Sequence, residues 1–376
     1  MNLQSPFKLN TKRIRYTFIL LLSCANSFAQ QLTVRANLDE QVKESSGLIY
    51  LNSELFTHND SDGEPALYQL DLDSNSVSRK IEIQNAKNVD WEDLAHDETY
   101  VYIADLGNNN GNRQDLKIYK VLIADIMDMS KEKISTEVIN FSYANQTDFN
   151  PSPYDTNFDA ETLICYRGSL YIFTKNWSDF KTNIYKLSTD PGDKVIEKID
   201  QLNVNGLISG GVYNSITDEI VLTGYSEENA FIVKLSNIEN ENFSESTIER
   251  TDLLIPSGIS YQVEGITYTS AYDYILSSES GIFGNGALMD LNLDNTLKLT
   301  SLQIRYKDSI YPNPAKDYVN LSFTDFDEAE IFNAEGKKVK TSKNKKIFVG
   351  DLQSGAYIIN TKGGKDQAKS FKFIKD

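Results

Sequence analysis

Short runs of alternating apolar and polar residues, separated by clusters of Gly, Asn, Asp and Ser, fill most of this chain. Residues 89–121, VDWEDLAHDETYVYIADLGNNNGNRQDLKIYKV, give the plan in one stretch. An acidic pair, Glu92 and Asp93, leads into a short apolar strand. A polar turn, an alternating strand from Tyr100 to Asp105, a loop rich in Asn and Gly, and a third strand from Leu116 to Val121 follow. Alternation of this kind between turn clusters predicts half-buried antiparallel strands.

The plan occurs five times. Its leading segments are SSGLIY (45–50), WEDLA (91–95), AETLI (160–164), SGGVY (209–213) and VEGITY (263–268). Second strands follow at 54–58, 100–105, 170–175, 219–224 and 274–279, and third strands at 66–71, 116–121, 183–188, 231–236 and 287–292. Less regular fourth segments run near 77–83, 134–142, 195–200, 245–250 and 297–305. Four strands per unit, repeating about every 50 residues, predict an all-β fold, a β-propeller. Five four-stranded blades are counted. Six are possible, because the 69-residue step from Asp93 to Thr162 holds an insertion. That insertion, 143–158, contains Asn150-Pro151-Ser152-Pro153 and reads as an exposed loop. The strand at 32–37 would close the ring beside the last unit. A β-sandwich is the alternative, but it has no need of five copies of one plan.

Charge adds a second layer. The formal net charge is −17, yet residues 1–29 carry four basic groups and no acid, and 306–376 carry a net +3. The middle, 30–305, therefore holds −24. So acidic a body repels nucleic acid and anionic lipid, and suits cations, sugars or plain solubility. Lys8, Lys12, Arg13 and Arg15, the apolar run 17–24 and Ser27-Phe28-Ala29 read as a signal peptide cleaved before Gln30. A lipoprotein signal at Cys24 is the rival. Cleavage at Ala29 leaves Cys165 as the one cysteine, on an apolar strand where packing is the expected role.

From about 306 the segments shorten and become rich in Lys. YPNPAKDYVNLSF, AEIFNAEGKKVK, LQSGAYIINT and SFKFIKD predict a small β-sandwich-like domain with turns at Asn333–Gly336 and Gly363–Gly364. This tail resembles the type A C-terminal sorting domain of the type IX secretion system of Bacteroidetes. Pro312, Asn313 and Pro314 at its start carry the likeness, with the IFNAEGK turn, Gly355-Ala356-Tyr357, and Lys372 to Lys375 at its end. The resemblance implies the Sec translocon and the type IX machinery as partners, removal of the tail, and a secreted or outer-membrane-surface location. The expected division is signal peptide 1–29, propeller 30–305 and sorting domain 306–376.

In an antiparallel blade, the start of the first strand and the end of the second lie at the same mouth of the channel. Aligning the leading segments sets Ser46, Glu92, Glu161, Gly210 and Glu264 at equivalent places. Glu92, Glu161 and Glu264 would then converge, a costly arrangement unless a cation or hydrogen-bond donors offset it. Ca²⁺, a hard cation taken by carboxylate oxygens, meets that need. Capping of backbone N–H groups in a neighbouring blade is the plain alternative. The facing loops contribute His58, Asp60, Asp105, Asn108, Arg113, Lys175, Tyr225 and Glu279 as a polar ligand-binding set. His96 falls at the opposite face. The serine-hydrolase elbow, the Walker A loop, H-E-x-x-H and CxxC are all absent from the sequence.

The body resembles secreted bacterial propellers of the phytase-like and SdiA-regulated (YjiK-like) kind. Asp90-Trp91-Glu92-Asp93-Leu94-Ala95, Ile103-Ala104-Asp105-Leu106-Gly107-Asn108-Asn109 and Val263-Glu264-Gly265-Ile266 carry this likeness. It implies acidic loops that hold Ca²⁺, or a metal at a Glu in the context of Glu264-Gly265. Two functions are expected to compete. One is a surface module that binds a glycan, peptide or small polar ligand, and no nucleic acid. The other is a Ca²⁺-dependent hydrolase of phosphoesters, esters or lactones, with Arg113 and Lys175 stabilising the anion.

Overall fold

In the computed structural model the alternating runs form five sheets whose first strands stand side by side around a common axis. The structure describes residues 30–294 apart from 62, 75, 227–228 and 282–283, and 309–376 apart from 312–313, 323–326, 335 and 363–368. The expected signal peptide, Cys24, Pro312, Asn313, the Gly363–Gly364 turn and the segment at 297–305 lie outside the described residues.

Blade 1 is built from Ser45–Leu51, Glu54–Asn59, Ala66–Leu70 and Val77–Gln84. Blade 2 uses Trp91–His96, Tyr100–Asp105, Lys117–Leu122 and Glu137–Tyr143. Blade 3 has Ala160–Tyr166, Ser169–Thr174, Thr182–Leu187 and Lys198–Leu202. Blade 4 has Leu207–Asn214, Glu219–Tyr225, Ala230–Ser236 and Thr247–Leu254. In blade 5, Val263–Tyr268, Asp273–Ser278 and Ala287–Asn292 come from the end of the domain. Its fourth strand is Thr33–Asn37 from the beginning, paired antiparallel to Ala287–Asn292. The ring is thus closed by the N-terminal strand, as the sequence led us to expect, and five blades are found among the described residues.

Two fourth segments divide in a way that the sequence did not suggest. Lys133–Ser135 leaves blade 2 to pair in parallel with the outer edge of blade 1, and Gly192–Ile196 leaves blade 3 for the edge of blade 2. Gln30–Gln31 does the same for blade 4. These short additions cover backbone donors and acceptors that an open edge would present to another chain.

Five apolar clusters fill the spaces between blades, one for each blade–blade interface. Ile49, Phe56 and Leu67 meet Leu94, Val101 and Ile103 between blades 1 and 2. Leu48, Leu55 and Tyr68 meet Ile275 and Leu288 where blade 5 returns to blade 1. Along the axis the first strands pack so tightly that Gly47, Gly210 and Gly265 have no room for a Cβ against the neighbouring backbone. Asp93, fully buried, closes the axis. Its carboxylate accepts the N–H groups of Leu94 at 2.8 Å and Leu163 at 3.0 Å, and also that of Gly211. One side chain thereby ties blades 2, 3 and 4 together.

The chain divides between Leu293 and Asp294 into two compact units. In the second, a three-stranded and a four-stranded sheet share a core of Val319, Leu321, Ile331, Ile347, Ile359 and Phe373. Tyr357 is buried there, stacked on Phe373 at 5.4 Å. Gly355 opens a strand that pairs along its length with Lys369–Lys375, Pro314 and Lys372 are exposed, and Lys375 is buried. Asn333 closes its turn through the Lys337 N–H at 2.9 Å, with Gly336 at φ +76°.

Candidate functional site

Each first strand carries a β-bulge near one mouth of the ring. The irregularities lie between Trp91 and Asp93, Ala160 and Thr162, Ile208 and Gly210, Val263 and Gly265, and across Ser45 to Leu48. A bulge leaves one residue outside the ladder and re-aims its side chain. Glu92, Glu161 and Glu264 are those residues in blades 2, 3 and 5. In blade 4 the extra residue is Ser209. The expected equivalence of Gly210 is therefore off by one, because the bulge shifts the register. Ser209 Oγ donates to the Val263 carbonyl at 2.5 Å, and Ser46 Oγ to that of Glu92 at 2.5 Å.

The three glutamates line one cavity of about 210 Å³ together with Asp60, Lys175, Tyr225, Glu279, Ser46 and Asn109. They do not form a single ligand cluster. Lys175 Nζ lies 2.5 Å from Glu161 Oε1 in a nearly dry setting, with the Trp177 and Tyr225 ring centroids 5.1 and 5.0 Å away. The oxygens of Glu92, Asp60 and Asp90, by contrast, lie within 4.8 Å of one another. Glu264 stands apart, with its Oε2 buried and unpartnered.

Burial sets the electrostatics. It pushes Asp60 up to about 8, helped by Asp90, Glu161 and Glu279, and Asp90 up to about 6. Glu92 and Glu264 are also held well above the usual carboxylate range by burial; Lys175 opposes the rise at Glu264, and neighbouring acids add to it at both. For Lys175, burial works downward, but Glu161, Tyr225 and Glu264 outweigh it and keep the ammonium charged.

Four residues expected at the mouth lie behind its wall. His58 is fully buried, edge-on to Trp91 at 5.5 Å, and burial lowers its pKa to about 4, so the ring is neutral. It is a packed residue between blades 1 and 2. Asp105, Asn108 and Arg113 form one network. Arg113 donates to Asp105 at 2.8 Å and to the Gly107 carbonyl at 2.7 Å, while Asn108 Oδ1 accepts the Arg113 N–H at 2.8 Å. Their work is to hold the loop that brings Gly107 against Asp90 and Glu92.

Sequence reading missed Asp90, Glu44, Gln262, Tyr154 and Trp177. The first three carried a signal: Glu44, Asp90 and Gln262 each stand two residues before Ser46, Glu92 and Glu264, and Asp159 stands likewise before Glu161. Two residues along a strand return to the same face. Asp159 is already satisfied, accepting Trp177 Nε1 at 2.8 Å and the Asn108 N–H at 2.6 Å. Tyr154 comes from the insertion that was expected to be an exposed loop. It is 63% exposed, holds φ +56°, and meets Trp177 edge-to-face at 4.9 Å on the cavity rim.

The opposite end of the ring holds a separate cavity of about 340 Å³, bordered by His96, Cys165, Arg167 and Tyr213. Burial raises the Cys165 thiol to about 12, which fits packing and not nucleophilic chemistry.

Comparison with known proteins bears mainly on the tail. Residues 309–376 match the family of secretion system C-terminal sorting domains. A search of curated proteins finds no match. Similar solved structures include the PQQ-bound form of aldose sugar dehydrogenase from Streptomyces coelicolor, 11% identical over 69% of this chain and 97% of that one, with a TM-score of 0.41. Hydrazine synthase of Kuenenia stuttgartiensis is 10% identical over 89% of this chain and 97% of that one, with a TM-score of 0.38. Among the described residues the chain forms a β-propeller of five blades, and its type IX secretion sorting tail marks it for export to the cell surface or the medium.

Proposed function

We propose that this exported propeller binds a polar ligand at its acidic mouth with the help of a hard divalent cation, Ca²⁺, held by Asp60, Asp90 and Glu92. One observation carries the reading: three carboxylates from blades 1 and 2 converge within 4.8 Å, and none of the three has an ion pair to Lys or Arg among the described residues. Buried carboxylates gathered without a direct ion pair are costly, and an oxygen-seeking cation removes the cost. Ser46 and Asn109 line the same cavity and offer neutral oxygens. The hydrolytic alternative also needs an anion-stabilising group beside the cation. Arg113 is committed to Asp105 and Gly107, and Lys175 to Glu161, so we place binding first.

Calorimetric titration of CaCl₂ into the EGTA-treated chain 30–376 tests this. One ion per chain is expected, with uptake lost in Asp60→Asn, Asp90→Asn and Glu92→Gln. No heat, together with a melting temperature indifferent to Ca²⁺, would overturn the reading. Gly107→Ala gives an independent steric check, because a Cβ there would overlap the Asp90 and Glu92 carboxylates. Affinity for Ca²⁺ should fall by at least about tenfold, as for other disturbances just outside a metal's ligands. Unaltered affinity would place the ion elsewhere.

A further inference from the structure

The cation reading leaves one pair of acids in the cavity without an explanation, and the blade registers show what is missing there. Ala160, just before the bulge of blade 3, pairs with Thr174, so that Glu161 and Lys175 are the residues that follow on the two strands. In blade 5, Val263 pairs with Ser278, and the residues that follow are Glu264 and Glu279. The two blades are thus built alike, except that one carries a Glu–Lys pair where the other carries Glu–Glu.

Blade 3 shows how such a glutamate is satisfied in this cavity. Its Glu161 receives the Lys175 ammonium at 2.5 Å, between the faces of Trp177 and Tyr225. Glu264 feels the charge of Lys175 but has no ion pair or hydrogen bond to it among the described residues. It is only 7% exposed, lines the cavity, and its Oε2 is shut off from water with no hydrogen-bond partner. Glu279 and Glu44 line the cavity as well and add to the negative potential. A buried carboxylate oxygen demands a donor, and a charged donor serves best. A second metal ion is the poorer candidate. Among the described residues the one acidic group whose ligand atoms converge within 4.8 Å is Asp60, Asp90 and Glu92, and Glu264 and Glu279 are not part of it.

We propose that the mouth takes a ligand bearing an organic cation, a protonated amine or a guanidinium, which seats between Glu264 and Glu279 as Lys175 seats on Glu161. The proposal rests on the reading of this cavity as the ligand site and adds the class of ligand.

The test uses the chain 30–376 with saturating CaCl₂ and agmatine as the probe, which carries an ammonium at one end and a guanidinium at the other. Its neutral counterpart is 1,4-butanediol. Agmatine should bind saturably and the diol should not, and Glu264→Gln should weaken agmatine by at least about tenfold, as loss of one partner of a buried charge pair does. Glu279→Lys supplies the blade 3 arrangement internally. It should abolish agmatine binding and raise the melting temperature, a pair of effects that simple damage to the fold would not produce. Agmatine binding no tighter than the diol would overturn the proposal, as would binding that ignores both substitutions. A second Ca²⁺ per chain that disappears in Glu264→Gln would also overturn it, since the pair would then be a metal site. CaCl₂ titrations on the same samples report the Asp60–Asp90–Glu92 site separately. Agmatine failing while one Ca²⁺ still binds rejects the organic cation alone.

Discussion

Asp93→Ala is expected to cost about 3–5 kcal/mol of unfolding free energy, close to half of what a domain commonly possesses. The carboxylate is the one acceptor shared by backbone N–H groups of Leu94, Leu163 and Gly211, at a place with no access to water. Removing it strands three buried donors, each worth about 1–3 kcal/mol when unsatisfied. It also removes the tie among three blades at the narrowest part of the ring. Asp93→Asn should lose somewhat less, because one oxygen remains while the new amide opposes a donor. Urea unfolding of the chain 30–376 measures both, with exposed Asp128→Ala as a control expected within about 0.5 kcal/mol of the parent. A loss under about 1 kcal/mol for Asp93→Ala would mean that the axis is held by strand packing alone.

The second large effect is a loss of stability as pH rises in the absence of metal. Asp60 and Asp90 have folded-state pKa values of about 8 and about 6, above the ordinary 3.8, chiefly because burial disfavours the charged form. A group whose pKa is raised by folding binds more protons in the native state than in the unfolded one. Its contribution is complete below the unfolded value and is lost as pH climbs through the folded value. EGTA-treated protein should therefore lose stability between about pH 4 and pH 8. Asp90 alone accounts for about 3 kcal/mol of this, since each tenfold change in proton affinity is worth roughly 1.4 kcal/mol. Ca²⁺ should restore much of the loss at pH 8, where the ligands are bare, and little at pH 5. Asp60→Asn with Asp90→Asn should make the profile shallower, leaving the contribution of the other buried acids, and abolish the rescue. Melting curves from pH 5 to 8 that run level in the parent would refute the account.

The strands of this ring were legible because each lies between an apolar interface and a turn, which imposes a period of two on the sequence. Trp91–His96, Glu219–Tyr225 and Ala287–Asn292 lie within a residue of where the pattern set them. Outer strands were less legible. Lys133–Ser135 and Gly192–Ile196 are half-exposed edges, and nothing in their composition says which blade they will join. At the mouth, the glutamates were visible as a repeated position, and the structure does bring all three to one cavity. Two things were hidden. A bulge adds one residue without altering the hydrophobic pattern, so the pattern points to Gly210 where the bulged residue is Ser209. Side-chain partners across blades follow no sequence period, so the approach of Asp60 in blade 1 to Asp90 and Glu92 in blade 2 could not be read in advance. The polar character of His58 suggests a loop, whereas its alternation along Glu54–Asn59 carries it inward onto Trp91.

The strand that closes blade 5 also bears on the order of events in folding. Arg35 and Asp290, which bond across that closure at 2.6 Å, stand 255 positions apart in the chain. A ribosome delivers Thr33–Asn37 ahead of the first four blades and its partner Ala287–Asn292 after them, so four blades can assemble before the seam has anything to join. Long-range pairing of this kind is slow, because loop-closure entropy must be met before any contact rewards it. Until then the edge of blade 5 and the early strand are both open to pairing with other chains.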